Sequence, residues 1–582
     1  VNLDLKKEDE QDALHGFYQE LLDTVSYPVY IYSRQGWADL DRYVDKVEQG
    51  EGFPGLRSSY TDYCRNLVEK GVIETEHFVV VRGLAGNHGR TTEEVERRIQ
   101  EVSSLLSGGD LEVERLENEE LEGFVRDSLN RSPVPTREYC ATGNQGSHEY
   151  RKLVYLSDYP SQVGFGWPRH LLRVDGLVDV VQAVRPVSVG TASKKLRRQS
   201  EKLDAEIAAF LTFGYRGTSV LERSFDDVEW FQDLLAEQKC QPVRYGAYVT
   251  VHAETERKLK KTFNRLKSRL RTLRIGWGEP AFRNDYAYYT DSPFYGDRLD
   301  ESLLMPSLSA ATGFPFGTQP LDTRSGVLYG VDTGDNTPII LDRFNWDSHS
   351  MAVIGTLGSG KSYSAKLELI RSMLVYPDLR VIVVDPKKEY GSTVEALGGE
   401  TRFISPGKEY SFDENVLCFQ VRDRGEFENV AGLVDLVRQI YSATSKNDRR
   451  TLVLIDEARL LLQDDSGRHV LNNFVLEARD INVAVHLVTQ SSSHFTEWRE
   501  GEDILNHIPG TLYFRHEREA DHSTLSDKEN TGLLRLRSGE KAGSSEALLK
   551  VSNTVSTRIR IRSTPLEHRI IEQGKIKKEV LE

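Results

Sequence analysis

Met351-Ala-Val-Ile-Gly355-Thr356-Leu-Gly358-Ser359-Gly360-Lys361-Ser362 fits the pattern G-x-x-x-x-G-K-[ST] at every required position. Its surroundings suit it: an apolar strand, Met351 to Ile354, leads in, and Leu367, Ile370 and Leu374 follow at helical spacing from about Tyr363. Glycines suit such a loop because backbone N–H groups can surround a polyphosphate only where no Cβ blocks the approach, and a helix N-terminus adds positive field. The stretch reads as a P-loop. It predicts ATP held by Gly355, Thr356, Gly358, Ser359, Gly360, Lys361, Ser362 and Tyr363, with Lys361 on the β/γ-phosphates and Ser362 on Mg²⁺. The competing reading is a glycine-rich turn with no ligand.

A second half of the site lies downstream. Val381 to Val384 runs into Asp385-Pro-Lys-Lys-Glu389-Tyr390, and Thr451 to Ile455 runs into Asp456-Glu457-Ala458-Arg459. Unbroken apolar runs of this length fit strands buried on both faces of a parallel sheet. Two acids closing such a strand match the Walker B pattern, with Asp456 assigned to the Mg²⁺ shell and Glu457 to the attacking water as general base. A third strand, Val483 to Thr489, ends at Gln490, a candidate sensor of phosphate or water, or a satisfied strand-end amide. Arg479 is the first candidate for an arginine finger into a neighbouring subunit, with Arg515 after Thr511 to Phe514 as the second; either can equally be a surface ion pair.

Composition restricts the rest. The chain has 582 residues, 38% of them hydrophobic, which suits several globular domains. Cys64, Cys140, Cys240 and Cys418 are scattered, without metal-ligand spacing or a disulfide pattern, which points to a reducing cytoplasm. No apolar run approaches the ~20 residues that span a bilayer, so a peripheral place at the cytoplasmic membrane would depend on partners. A net charge of −15 argues against a chain coated for nucleic acid, while leaving room for a local basic channel. The helix Glu254 to Leu273 is such a place: its stripe Leu259, Phe263, Leu266, Leu270 faces inward, and Arg257, Lys258, Lys260, Lys261, Arg265 and Lys267 face out. That outer face is either solvated or a contact for phosphate backbone.

Taken in order, the chain suggests an N-terminal α/β subdomain over 1–130, a linker at Asn130 to Thr142, and a second α/β subdomain over 150–275. A Pro-, Gly- and Tyr-rich connection follows over 276–325, and then the P-loop domain over 326–582. Gly326 to Gly330 and Thr337 to Leu341 read as a hairpin at the entrance of that last domain.

With these landmarks the chain resembles the P-loop ATPases of conjugation and type IV secretion, of the TrbE/CagE/TraC kind (component four of the VirB system), within the HerA/FtsK superfamily. The resemblance rests on the 326–341 hairpin, the P-loop, Asp385-Pro-x-x-Glu389-Tyr390, Ile455-Asp456-Glu457-Ala458, Ala478-Arg479-Asp480 and Val488-Thr489-Gln490, and more loosely on Gly539 to Gly543 with Glu546 to Leu549. It implies a RecA-like P-loop NTPase domain with a parallel central sheet, preceded by an α/β N-terminal region of one or two smaller layered domains. It also implies a homo-hexamer docked on inner-membrane secretion-channel proteins, with possible DNA contact. There are two departures: only Pro386 to Arg450 stands where the group carries a large helical insertion, and Asp347 stands where it often has Asn. The rival expectation is a HerA-like DNA translocase.

Overall fold

A computed structural model describes residues 8–573 apart from 38–39, 70–72, 84–87, 110, 112, 119–120, 123, 125–132, 137–138, 145–146, 161–162, 213–218, 317–324, 335–336, 347, 406, 423–429, 447–448, 517–524, 540–543 and 553–554. Asp347, residues 540–543 and part of the expected 130–142 linker therefore lie outside the described residues.

Residues 37–74 and 319–582 form one unit, and residues 8–36 and 75–318 form another. This differs from the serial division at 130, 150, 275 and 326. The helices Asp41–Glu48 and Pro54–Glu69 leave their sequence neighbours and bury Tyr43, Val47, Leu56 and Tyr60 in a core shared with Ile370 and Leu374 of the helix after the P-loop. Arg57 fastens them there, donating through Nη1 to the carbonyls of Val47 and Leu374, each at 2.7 Å.

The first unit is built on an 11-stranded sheet. Gly510–Tyr513, Met351–Ile354, Val483–Thr489, Thr451–Ile455, Arg380–Asp385, Val416–Gln420 and Glu400–Phe403 lie side by side in that order, all parallel. Beyond Gly510–Tyr513 the sheet continues antiparallel through Ser545–Val551, Val555–Ile561, Val327–Asp332 and Pro338–Leu341. The expected parallel sheet is thus the larger part of a mixed one, and the 326–341 hairpin forms its far edge rather than a separate entrance. Alternate residues of the central strands enter two cores: Val353, Val381 and Val383 one, Ile354, Ile382 and Val384 the other. Burial on both faces explains their unbroken apolar sequence. Because Ile354 pairs with both Thr489 and Tyr513, and Val384 with Ile455, the strand ends are level and their loops leave at one edge.

The second unit is a 9-stranded sheet whose path runs Ile73–Val81, Val29–Trp37, Leu177–Pro186, Pro242–Ala253, Ser147–Asp158, Cys140–Asn144, Pro133–Pro135, with neighbours antiparallel from Val29–Trp37 onward. Two expectations change here. Part of the 130–142 linker is strand, and the 276–325 connection supplies Gly276–Gly278 and Leu303–Pro306 to the sheet and the helix Asn284–Asp291 to its core. The basic helix runs Glu256–Leu273, capped by the Thr255 hydroxyl, and buries Leu259, Phe263, Leu266 and Leu270 as its stripe requires. Three of its outward charges are answered locally: Lys258 pairs with Glu254, Lys260 with Glu256 and Arg265 with Asp175.

Within this unit His252 is buried, with Nε2 2.6 Å from Asp179 and Nδ1 3.2 Å from Glu149. Asp179, His252 and Asp291 are spaced as metal ligands would be, but Arg151 binds Asp291 at 2.9 Å and both imidazole nitrogens are engaged, so the cluster is a closed ion-pair network. Burial pulls the His252 pKa down; Asp179 outweighs it against Arg151, and the imidazole is pushed up to about 9. A raised histidine pKa contributes stability that is complete below its unfolded value near 6.5 and is lost as pH rises through the folded value. The wild-type Tm should therefore fall between pH 7 and 10, and a melting series on His252→Gln should show a flatter profile; parallel profiles would refute the assignment.

Candidate functional site

The loops leaving the level edge of the first sheet supply every element of the site. Strand and helix meet at 355–360, with Gly360 at φ +105° preceding the helix Lys361–Val375. The loop is fastened on both sides: Gly355 N–H donates to Thr489 O (3.3 Å), and Thr356 donates to Arg515 O from its N–H (3.2 Å) and its hydroxyl (3.0 Å). A Cβ on Gly355 would lie 2.6 Å from that of Phe514, and one on Gly360 would run into the Ser545 side chain. Gly358, at φ +72°, has open space where its Cβ would be, so glycine is required there by backbone conformation alone. Lys361 is buried and donates to Thr356 O at 2.9 Å; burial lowers its pKa, against the pull of Asp456 and Glu457.

The Walker B strand lies one strand removed from the P-loop strand in the same sheet, with Val483–Thr489 between them. Asp456 N–H donates to Val384 O and Ala458 N–H to Val488 O, which pins the acids at the sheet edge. Asp456 is 4% exposed and its Oδ2 has no hydrogen-bond partner among the described residues. Burial, then Glu389, Glu457 and Asp385, push its pKa up to about 7. A buried carboxylate oxygen without a donor, in a field of further carboxylates, fits a hard divalent cation. Ser359 Oγ is likewise buried without a partner, and the buried Tyr390 lies against Ser362 and Asp456.

Glu457 has φ +50°, a left-handed conformation uncommon for a residue with a side chain. Its Oε1 accepts from Gln490 Nε2 at 2.9 Å and pairs with the Lys387 ammonium; its Oε2 accepts from Arg459 Nε at 2.9 Å. Burial raises its pKa, but Lys387, Gln490 and Arg459 prevail and hold it below the ordinary carboxylate range. Asp385 serves the turn instead, accepting from the N–H groups of Glu389 (2.9 Å) and Tyr390 (2.8 Å) and from Gln420 (2.7 Å).

Most of the predicted residues therefore converge, with three exceptions. Tyr363 is engaged elsewhere, its hydroxyl 2.6 Å from Ser563 Oγ and 2.9 Å from His568 Nδ1, because the C-terminal helix Pro565–Gln573 packs on that side of the P-loop helix. Arg479 follows the helix Asp465–Glu477 and precedes the 7-residue strand Val483–Thr489, so it is exposed at the opposite sheet edge, about 20 Å away at ~3.3 Å per residue. Arg515 is exposed beside its own P-loop. Lys387, Arg459 and His516 had no role assigned from sequence. The first two stood inside quoted motifs, whereas His516 is recognisable only by its buried Nε2, which lacks a partner among the described residues, and its proximity to Lys361.

A glycine-rich loop between strand and helix, with paired acids at the same edge of the same sheet, defines a P-loop ATPase. Residues 326–477, from the edge hairpin through the Walker B acids to the following helix, match the family described as Helicase HerA, central domain. Solved structures that the chain resembles include VirB4 of Thermoanaerobacter pseudethanolicus, at 15% identity over 43% of this chain and 100% of that one, TM-score 0.37. The cytoplasmic domain of the type VII secretion ATPase EccC of Thermomonospora curvata matches at 14% identity over 47% and 31%, TM-score 0.29. The genome packaging NTPase B204 of Sulfolobus turreted icosahedral virus 2, in complex with AMP, matches at 13% over 38% and 100%, TM-score 0.24. No curated protein sequence matches the chain. Among the described residues no helix is long and apolar enough to cross a membrane.

Proposed function

We propose that the chain is an ATP-hydrolysing motor that works as a homo-hexameric ring and energises a type IV secretion or conjugation machine from the cytoplasmic face of the membrane. The observation that carries the motor reading is the meeting of Lys361, Asp456, Glu457 and Gln490 at one edge of a sheet whose central order, Gly510, Met351, Val483, Thr451, Arg380, sets the sensor strand between the two Walker strands. That order supports a RecA-like domain. The secretion assignment draws on the sequence landmarks from 326 to 549.

The geometry supports the following side-chain roles. Backbone N–H groups of 355–360 and Lys361 would hold the phosphates, and Ser362 and Asp456 would hold Mg²⁺, which when bound would supply positive charge to offset that of the phosphates. Glu457 accepts the proton of the attacking water as its oxygen bonds to the terminal phosphorus, and the bond to the bridging oxygen breaks with the electron pair leaving on ADP. Gln490 orients Glu457 through its amide. Arg479, exposed at the far edge, cannot reach its own P-loop and suits the site of the next subunit in a ring.

A mixing experiment tests hydrolysis and ring together. Lys361→Ala and Arg479→Ala should each be inactive alone, and mixed subunits should regain partial ATPase activity, because an intact P-loop can then face an intact arginine. Inactivity of wild type would refute the motor, and full activity of Arg479→Ala would refute the finger.

The family description of residues 326–477 supports a second reading, a HerA-like DNA translocase. Strong stimulation of hydrolysis by duplex DNA with a steep salt dependence would favour it. The local pairing of Lys258, Lys260 and Arg265 weighs against that helix as a phosphate-backbone contact.

A further inference from the structure

The general base proposed above is not free to act in the structure described. Both oxygens of Glu457 are engaged, one by Lys387 and Gln490 and the other by Arg459. Such an arrangement leaves little room for a water aligned to lose its proton.

The three donors differ in what they can do next. Gln490 follows the buried strand Val483–Thr489, and Arg459 begins the short helix directly after Glu457, so both are tied to the same edge by short lengths of chain. Lys387 comes from a different loop, the turn after Arg380–Asp385, whose neighbouring residue Lys388 has φ +61°. Its side chain is 28% exposed, while the carboxylate it binds is 4% exposed. Its ammonium lies close enough to both Lys361 and Asp456 to act on their charges. It therefore binds the carboxylate that would activate water while lying within electrostatic reach of the lysine that would hold the β- and γ-phosphates.

Resting on the ATPase reading, we propose that Lys387 is a second lysine for the terminal phosphate, held on Glu457 until that phosphate arrives and then bridging the two. An ammonium has three donors, so it can turn toward a phosphate oxygen and release the Glu457 lone pair while staying within ionic reach of the carboxylate. A terminal phosphate carries more charge than one carboxylate, and draws the ammonium away from the lone pair that the attacking water needs. ADP lacks that phosphate and leaves the pair closed. Lys387 is then a positioning residue that makes the state of Glu457 depend on the presence of a third phosphate.

The test is the ratio of affinities for AMPPNP and ADP, measured by calorimetry on the full chain with Mg²⁺. Wild type should prefer AMPPNP. In Lys387→Met the AMPPNP affinity should fall about tenfold or more, since a charge-assisted contact is lost and Glu457 is left unscreened beside the phosphate, while ADP affinity should stay within about twofold. Lys387→Arg, which keeps charge and reach, should restore much of the preference. Lys388→Met, whose ammonium binds the Arg422 carbonyl instead, should match wild type. If AMPPNP and ADP affinities in Lys387→Met move together, or neither moves, or Lys387→Arg behaves like Lys387→Met, the proposal is overturned while the ATPase reading stands. A wild type that binds neither nucleotide overturns both.

Discussion

Glu457→Gln should lower kcat for ATP hydrolysis by about 10²–10⁴-fold, the range expected when a general base is removed, while ATP still binds. The amide is nearly isosteric and can still bond to Gln490, but it cannot take the proton of the attacking water. The phosphate-binding elements, Lys361 and the 355–360 loop, are untouched, so nucleotide affinity should change little. Asp456→Asn should behave differently: it alters the oxygen without a partner that fits a divalent cation, so its defect should be a raised Mg²⁺ requirement. Steady-state rates with ATP and Mg²⁺ titrations on both variants separate these roles. Hydrolysis within about tenfold of wild type in Glu457→Gln would remove it from the role of base and direct attention to another acceptor at the same edge.

How much of this was readable from sequence depends on whether the controlling contacts are local. The P-loop was legible because its glycines, lysine and serine act on one another within a few residues, and the apolar strands because burial on both faces leaves a mark in composition. The arrest of Glu457 was not. Lys387 and Arg459 stood in quoted motifs, yet only the sheet order brings residues 387 and 457 together. The 276–325 segment misled for a similar reason. Gly276–Gly278 and Leu303–Pro306 are too short to show alternation and become strands by pairing with Ser147–Asp158 and Pro242–Ala253. The helices Asp41–Glu48 and Pro54–Glu69 each bury one face, but amphipathicity says that a face is buried without saying against what.

Arg371→Met should destabilise the P-loop-bearing unit by about 3–5 kcal/mol, the usual cost of leaving one partner of a buried ion pair uncompensated. Arg371 is 1% exposed and Glu567 0% exposed. The guanidinium donates to both carboxylate oxygens of Glu567, at 2.9 and 3.2 Å, and to the carbonyls of Leu328 and Arg562, each at 2.7 Å. It also lies 5.3 Å from the ring centroid of Tyr60. One side chain on the P-loop helix thus ties together the edge hairpin, the C-terminal helix and the helices at 41–69. Glu567 is further held at its helix start, where its carboxylate accepts from Thr564 N–H at 2.6 Å and its own N–H donates to the Thr564 hydroxyl at 3.1 Å. It therefore cannot easily turn to water once Arg371 is gone, and must lose its charge or carry that helix away. The double variant Arg371→Met with Glu567→Gln should recover part of the loss, since removing both charges avoids the unpaired one, although the Leu328 and Arg562 carbonyls still lose a donor. Denaturant unfolding of wild type, both single variants and the double variant gives the coupling directly. Arg371→Met within about 1 kcal/mol of wild type would mean that the buried pair does not hold these elements to the P-loop helix.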